Sequence, residues 1–202
     1  MSDREDSAAG LFAEAVNLHN RGIDGDKGAV KKAHEMFKKI SAANPGDYLA
    51  AAYLGSVTTM LGRDEIDPNK RFKLALRGLK LLDQAVAQES ENIEIRTLRG
   101  LVCYNLPDLY FHRLTTAVED FCVLVSRYEK KKNSFSRELY WKILYNLGSA
   151  YKSLERSEES ASTWRKLLSV TTDPTYKELL LQEGFKVETE PDKKRSRRLR
   201  FR

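Results

Sequence analysis

The sequence predicts an all-α chain, a right-handed α-α superhelix (solenoid) of about four helical hairpins with a C-terminal capping helix. Two recurrences predict it. Four segments share one local pattern, a small residue, a large apolar one four positions later and an apolar one three beyond that. They are Ala33, Phe37, Ile40; Gly78, Leu82, Ala85; Ala117, Phe121, Leu124; and Ser160, Trp164, Leu167. Steps of four and three fall on one helical face, so each set reads as the buried stripe of an amphipathic helix. Upstream of three of them lies another apolar helix with a glycine in it, at Gly55, Gly100 and Gly148. A glycine inside a helix costs roughly 0.5–1 kcal/mol relative to alanine, so its recurrence implies close approach of another backbone. Helical hairpins in series supply such an approach at regular intervals.

Taken in order, the first helices of the hairpins are expected at about 8–20, 48–62, 93–106 and 136–154. Their partners follow at 27–44, 69–88, 110–132 and 157–171. The third partner helix has the longest stripe, Leu114, Ala117, Phe121, Leu124 and Tyr128. Asp173 and Pro174 form a stop and start signal, because proline suits the first helical turn. A last helix at 175–183 would then cover the open end of the stack with Tyr176, Leu179 and Leu180. Residues 1–7 read as a flexible N-terminus, 8–184 as the helical domain and 185–202 as a basic, disordered tail.

The bulk composition agrees. With 202 residues, 41% hydrophobic and 32% charged, the chain can build a core without metal or disulfides. No run nears the roughly 18 apolar residues of a spanning helix, and no secretion signal is legible, so the expectation is a soluble, cytoplasmic protein. Cys103 and Cys122 fall on the two helices of one hairpin, on the order of 16 Å apart at about 1.5 Å per residue. That is too far for a disulfide, which makes both reduced core thiols. The net charge of +6 is uneven. Residues 186–202 hold eight Lys or Arg against three acids, and the rest of the chain is nearly neutral.

From Tyr145 to Pro174 the chain reads YNLGSAYKSLERSEESASTWRKLLSVTTDP. This stretch resembles a tetratricopeptide repeat. Leu147, Gly148 and Tyr151 match the first-helix motif, Ser160 the small crossing position, and Trp164 and Leu167 follow. AAYLGSVTTMLG from Ala51 and AHEMFKKISAANPGD from Ala33 resemble first and second halves of further repeats, and the likeness covers 11–174. The spacings depart from the family's 34-residue unit. From motif glycine to small residue the count is 23, 17 and 12, so extended turns or helices are expected near 61–69 and 105–110.

The resemblance implies a concave groove lined by first helices, in which a partner segment docks. Carried over by the motif glycines, its positions are Ala52, Ser56, Thr59 and Met60; Thr97, Leu101, Tyr104 and Asn105; and Lys142, Tyr145, Ser149 and Lys152. Tyrosines beside lysines suit a guest with acidic and apolar groups. Equally, Tyr104 and Tyr145 could serve only to pack against neighbouring helices.

Little else points to chemistry. His19, His34 and His112 lie on different helices without ligand spacing. Asp24, Asp26 and Glu35 occupy the first, third and twelfth places of a calcium loop, but Gly28 and Ala29 stand where a ligand and a glycine are needed. No enzymatic activity, cofactor or metal is therefore expected. The tail does carry a distinct signal. Lys193, Lys194, Arg195, Arg197, Arg198, Arg200 and Arg202 form a like-charged block suited to a polyanion, with Leu199 and Phe201 interleaved. The expected function is a protein-protein interaction scaffold, adaptor or chaperone-like protein. The alternative is a nucleic-acid- or ribosome-associated factor that uses the tail.

Overall fold

A computed structural model of the chain describes residues 2–186, with side chains from residue 8 onward. Among the described residues there are ten helices and no strand: α1 (Ser2–Ile23), α2 (Lys27–Ala43), α3 (Tyr48–Asp64), α4 (Pro68–Gln88), α5 (Ile93–Asn105), α6 (Asp108–Phe111), α7 (Leu114–Lys130), α8 (Arg137–Ser153), α9 (Ser157–Val170) and α10 (Pro174–Gln182). The chain divides into two compact units, residues 1–143 and 144–202. The first residues of α8 belong to the first unit and the remainder to the second.

Short polar side chains start half of these helices. Asp26 accepts from the Ala29 amide, Asp47 from Ala50, Asp67 from Asn69 and Lys70, Asn92 from Glu94 and Ile95, and Asp173 from Thr175. Each satisfies an amide the first turn leaves without an intrahelical partner, a contribution of about 1 kcal/mol per cap. Pro68 and Pro174 take the first helical turn, where a missing N–H costs nothing.

In the first unit each helix packs on the next, α1 on α2, α2 on α3, α3 on α4, α4 on α5 and α5 on α7. The first helices of successive hairpins also meet, α1 with α3 and α3 with α5. This is hairpin stacking, and its seams are the stripes anticipated from the sequence. Phe37, Leu82 and Phe121 are fully buried, with Val57 and Ile95 between them. Phe37 stacks on Tyr53 at 4.9 Å, and Phe12 meets both rings edge-on at 5.7 Å.

The tightest seam joins α3 to α4. A Cβ on Gly78 would lie 2.5 Å from the Gly55 carbonyl oxygen and 2.5 Å from the Thr59 methyl. One on Gly55 would lie 2.8 Å from the Gly78 carbonyl oxygen. Here the two backbones touch, as the recurrent glycine implied. At the other two motif glycines the expectation needs correction, because an aromatic ring takes the space. Phe121 would come within 2.9 Å of a Cβ on Gly100, and the Trp164 indole within 2.2 Å of one on Gly148.

The third hairpin departs from the expected single helix at 110–132. A one-turn helix, α6, ends at His112, which adopts the left-handed conformation with φ 50°. Asp108 then accepts from the Leu114 amide at 2.8 Å and so starts α7, whose N-cap residue Arg113 makes no side-chain cap bond. The extra turn expected near 105–110 is therefore a helix with its own stop. Near 61–69 the extra residues lengthen α3 and α4 themselves.

In the second unit α9 packs its Trp164 against α8. The indole N–H donates to the Tyr145 carbonyl at 3.2 Å, directly over the glycine one turn on. α10 lies on α9 with Leu180 fully buried. It ends in a glycine-capped turn, with Gly184 at φ 77° and the amides of Gly184 and Phe185 donating back to Leu181 and Leu180 at 2.9 Å. The turn brings Phe185 edge-on to Trp164 at 5.4 Å.

Substituting Gly78 by alanine tests the α3–α4 seam. Alanine gains up to about 1 kcal/mol of helix propensity, but its methyl group must push apart two backbones, at a cost of about 1–3 kcal/mol. The urea midpoint is expected to fall, whereas a simple propensity effect would raise it.

Candidate functional site

The positions implied by the groove resemblance meet different environments. In the second hairpin Ala52, Ser56 and Thr59 are buried and Met60 is half-buried. The space is filled by α1. The His19 ring nitrogen Nε2 lies 2.9 Å from the Ser56 hydroxyl, and the ring stands edge-on to Tyr53 at 5.0 Å. His19 is 3% exposed, and burial holds its pKa below the ordinary 6.5, against smaller opposing effects of Asn20 and Glu94. Beside it the Tyr53 hydroxyl donates to Glu94, and burial followed by that carboxylate raises the phenol pKa.

On α5, Thr97, Leu101 and Tyr104 are half-buried and Asn105 is exposed. Thr97 donates to the Ile93 carbonyl and Asn105 to that of Leu101, each at 2.7 Å, so both polar groups are tied to their own helix. The Tyr104 ring lies 6.1 Å from Phe121. Packing thus uses one side of Tyr104 while part of it stays accessible. Lys142, on the part of α8 in the first unit, is exposed.

In the second unit the corresponding side chains meet a segment of the chain itself. Tyr145 donates to the Glu183 carboxylate at 3.2 Å. Lys152 donates to the same carboxylate at 2.8 Å and to the Glu183 carbonyl at 2.6 Å. The Tyr145 and Tyr176 rings are 6.3 Å apart, and Ser149 is buried. These residues therefore hold a carboxylate supplied by the end of α10. Glu183 went unnoticed in the sequence because its role depends on the glycine turn that follows it. Gly184 after a short apolar helix was the available signal.

A buried charged cluster joins α4, α5 and α7. Asp120 is fully buried and accepts from Arg96 at 2.7 Å and from Arg99 at 2.8 and 2.9 Å. Asp83 accepts from Arg99 at 3.3 Å and from Arg113. Burial pushes the Cys103 thiol up to about 11, although Arg113 donates to it. A thiol so placed stays protonated at neutral pH and is a poor nucleophile. Cys122 is half-buried, less enclosed than the core position expected. Neither period nor spacing foretold this cluster, since Asp120 falls between Ala117 and Phe121 of the apolar stripe of α7 while its partners Arg96 and Arg99 come from α5.

Asp26, considered above as part of a calcium loop, caps α2 and pairs with Arg21 at 2.6 Å. The basic residues Lys193 to Arg202 lie outside the described residues.

No protein-family model matches the chain, and no curated protein does. Solved structures do. The chain is similar to a point mutant of MamA, with 19% identity and a TM-score of 0.51, over 79% of this chain and 78% of that one. It is likewise similar to a double mutant of MamA from RS-1, at 16% identity and a TM-score of 0.53, over 81% and 79%. These likenesses support a tetratricopeptide-like helical repeat fold.

Two outcomes follow from the buried groups. The unfolded chain protonates His19 near 6.5 while the fold resists it, so stability is intact above that value and falls as pH drops through it toward the lower folded value. Replacing His19 with Gln should flatten the fall in urea midpoint between about pH 7.5 and 5.5; an unchanged slope would assign the effect to other groups. Asp120→Asn leaves Arg96 and Arg99 without their buried counter-charge. A loss of about 3–5 kcal/mol is expected by chemical denaturation, and a loss below about 1 kcal/mol would mean that water compensates the arginines.

Proposed function

We propose that the protein is a non-catalytic interaction scaffold that holds a segment of another protein against the first helices of its hairpins. The observation that carries this reading is the partial exposure of Leu101, Tyr104 and Asn105 on α5. The second-hairpin positions are filled by His19 of α1, and Tyr145 and Lys152 are engaged by Glu183. The α5 face thus offers a guest apolar area from Leu101, an aromatic surface from Tyr104 and a polar edge from Asn105. Anchors of this kind dominate the binding of short segments, because a tyrosine gives up few rotamers for the area it covers.

In the second unit a guest carboxylate would have to replace Glu183, whose pairing with Lys152 is half-exposed and therefore weak, about 0–1 kcal/mol. The fold likeness supports the scaffold reading at the level of architecture alone.

Affinity purification from the native cell with the wild type, Leu101→Asp with Tyr104→Ala, and Lys152→Glu tests the proposal. The α5 double variant should lose at least one partner that survives high salt, with helicity by circular dichroism unchanged. If both variants keep every partner of the wild type, the first-helix faces are not the binding surface.

A further inference from the structure

We propose that one end of the first unit, built from the α3–α4 turn, the start of α4 and α6, is a docking surface for an anionic phospholipid membrane. It is separate from the first-helix faces and does not depend on their role.

Apolar side chains stand out from this end. Ile66 in the turn is 91% exposed, and Leu109 and Tyr110 on α6 are 77% and 67% exposed. Phe72 and Leu76, one turn apart on α4, are exposed as well. They lie toward one end, because the Phe72 and Phe111 rings stack at 5.2 Å and bring α6 against α4 near its start, six residues beyond Ile66. Single exposed apolar residues are ordinary on any surface, but five at one end of a unit are not.

Basic residues border the patch. On α4 the exposed arc that starts at Phe72 and Leu76 continues through Lys73, Lys80, Arg77 and Lys70, at about 100° per residue. Among the described residues none of these four side chains has an ion-pair partner. Arg71 is tied to the Glu65 carbonyl. The nearby acids are each committed elsewhere. Glu65 accepts from the Ile66 and Asp67 amides, Asp67 caps α4, Asp108 starts α7, Asp64 pairs with Arg63, and Asp83 is held by Arg99 and Arg113. These acids keep their charge, but none pairs with Lys70, Lys73, Arg77 or Lys80, whose four positive charges lie exposed along α4.

An anionic bilayer matches both parts. Ile66 and Leu109 protrude from a turn and a one-turn helix, as side chains that enter the acyl boundary do, and Tyr110 suits the headgroup level with its ring inward and hydroxyl outward. The flexible lysines beside them reach lipid phosphates. A nucleic acid would use the charge and leave the protruding Ile66 and Leu109 unexplained.

The test uses full-length protein in which the seven basic residues between 193 and 202 are replaced by glutamine, so that the tail supplies no affinity. Sedimentation with vesicles of phosphatidylcholine containing about one third phosphatidylglycerol should carry the protein down, and pure phosphatidylcholine should not. Ile66→Ser with Leu109→Ser and Tyr110→Ser should lower the affinity at least about 10-fold, as should Lys70→Ala with Lys73→Ala, Arg77→Ala and Lys80→Ala. In a separate Tyr110→Trp variant, the introduced indole should be quenched by brominated lipid. The idea is overturned if the tail-neutralised protein ignores anionic vesicles. It is equally overturned if patch variants that keep their helicity bind as before, if the introduced indole is not quenched, or if the patch variants lose an RNA or acidic-peptide probe and not vesicles.

Discussion

The contact on which the first unit depends is the crossing of α3 and α4, where Gly55 and Gly78 bring two backbones together without side chains between them. Close crossing sets how deeply Leu82 sits under α3 and how far α4 is carried toward α5. Gly62 extends the same seam by two turns, with the Arg71 carbonyl 3.0 Å from where its Cβ would be. Given that approach, the fully buried Val57, Leu82 and Ile95 form a continuous apolar layer between hairpins.

Periodicity made most of this legible. The stripes at Phe37, Leu82, Phe121 and Trp164 are the core, and the expected helices exist within a few residues of their predicted limits, apart from α1, which begins six residues before its expected start, and the third partner helix. What escaped was local conformation and electrostatics. The left-handed turn at His112 carries no glycine to announce it, so α6 and α7 read as one helix. The glycines announced close approach but not what approaches, which is backbone at Gly55 and a ring at Gly100 and Gly148. The burial of Asp120 was not legible because its partners, Arg96 and Arg99, lie more than twenty residues earlier and meet it only once α5 packs on α7.

The candidate site was legible to a smaller degree. Motif alignment located the first-helix positions correctly on helices, yet their availability is set by tertiary neighbours. His19 closes the second hairpin's positions, and Glu183 engages Tyr145 and Lys152. Both occupants are polar and far away in sequence, so a repeat motif cannot register them. Of the two alternatives for Tyr104, packing is visible in its contact with Phe121, and the ring is half-buried.

The shared seam is the central physical claim, and residue-resolved hydrogen exchange on the full-length chain measures it most directly. If α3 and α4 are locked at Gly55 and Gly78, the amides of 52–60 and 75–84 should be the slowest in the first unit and should exchange through one common opening, with matching dependence on denaturant. Independent opening of the two helices, or faster exchange there than in α1 and α2, would contradict it.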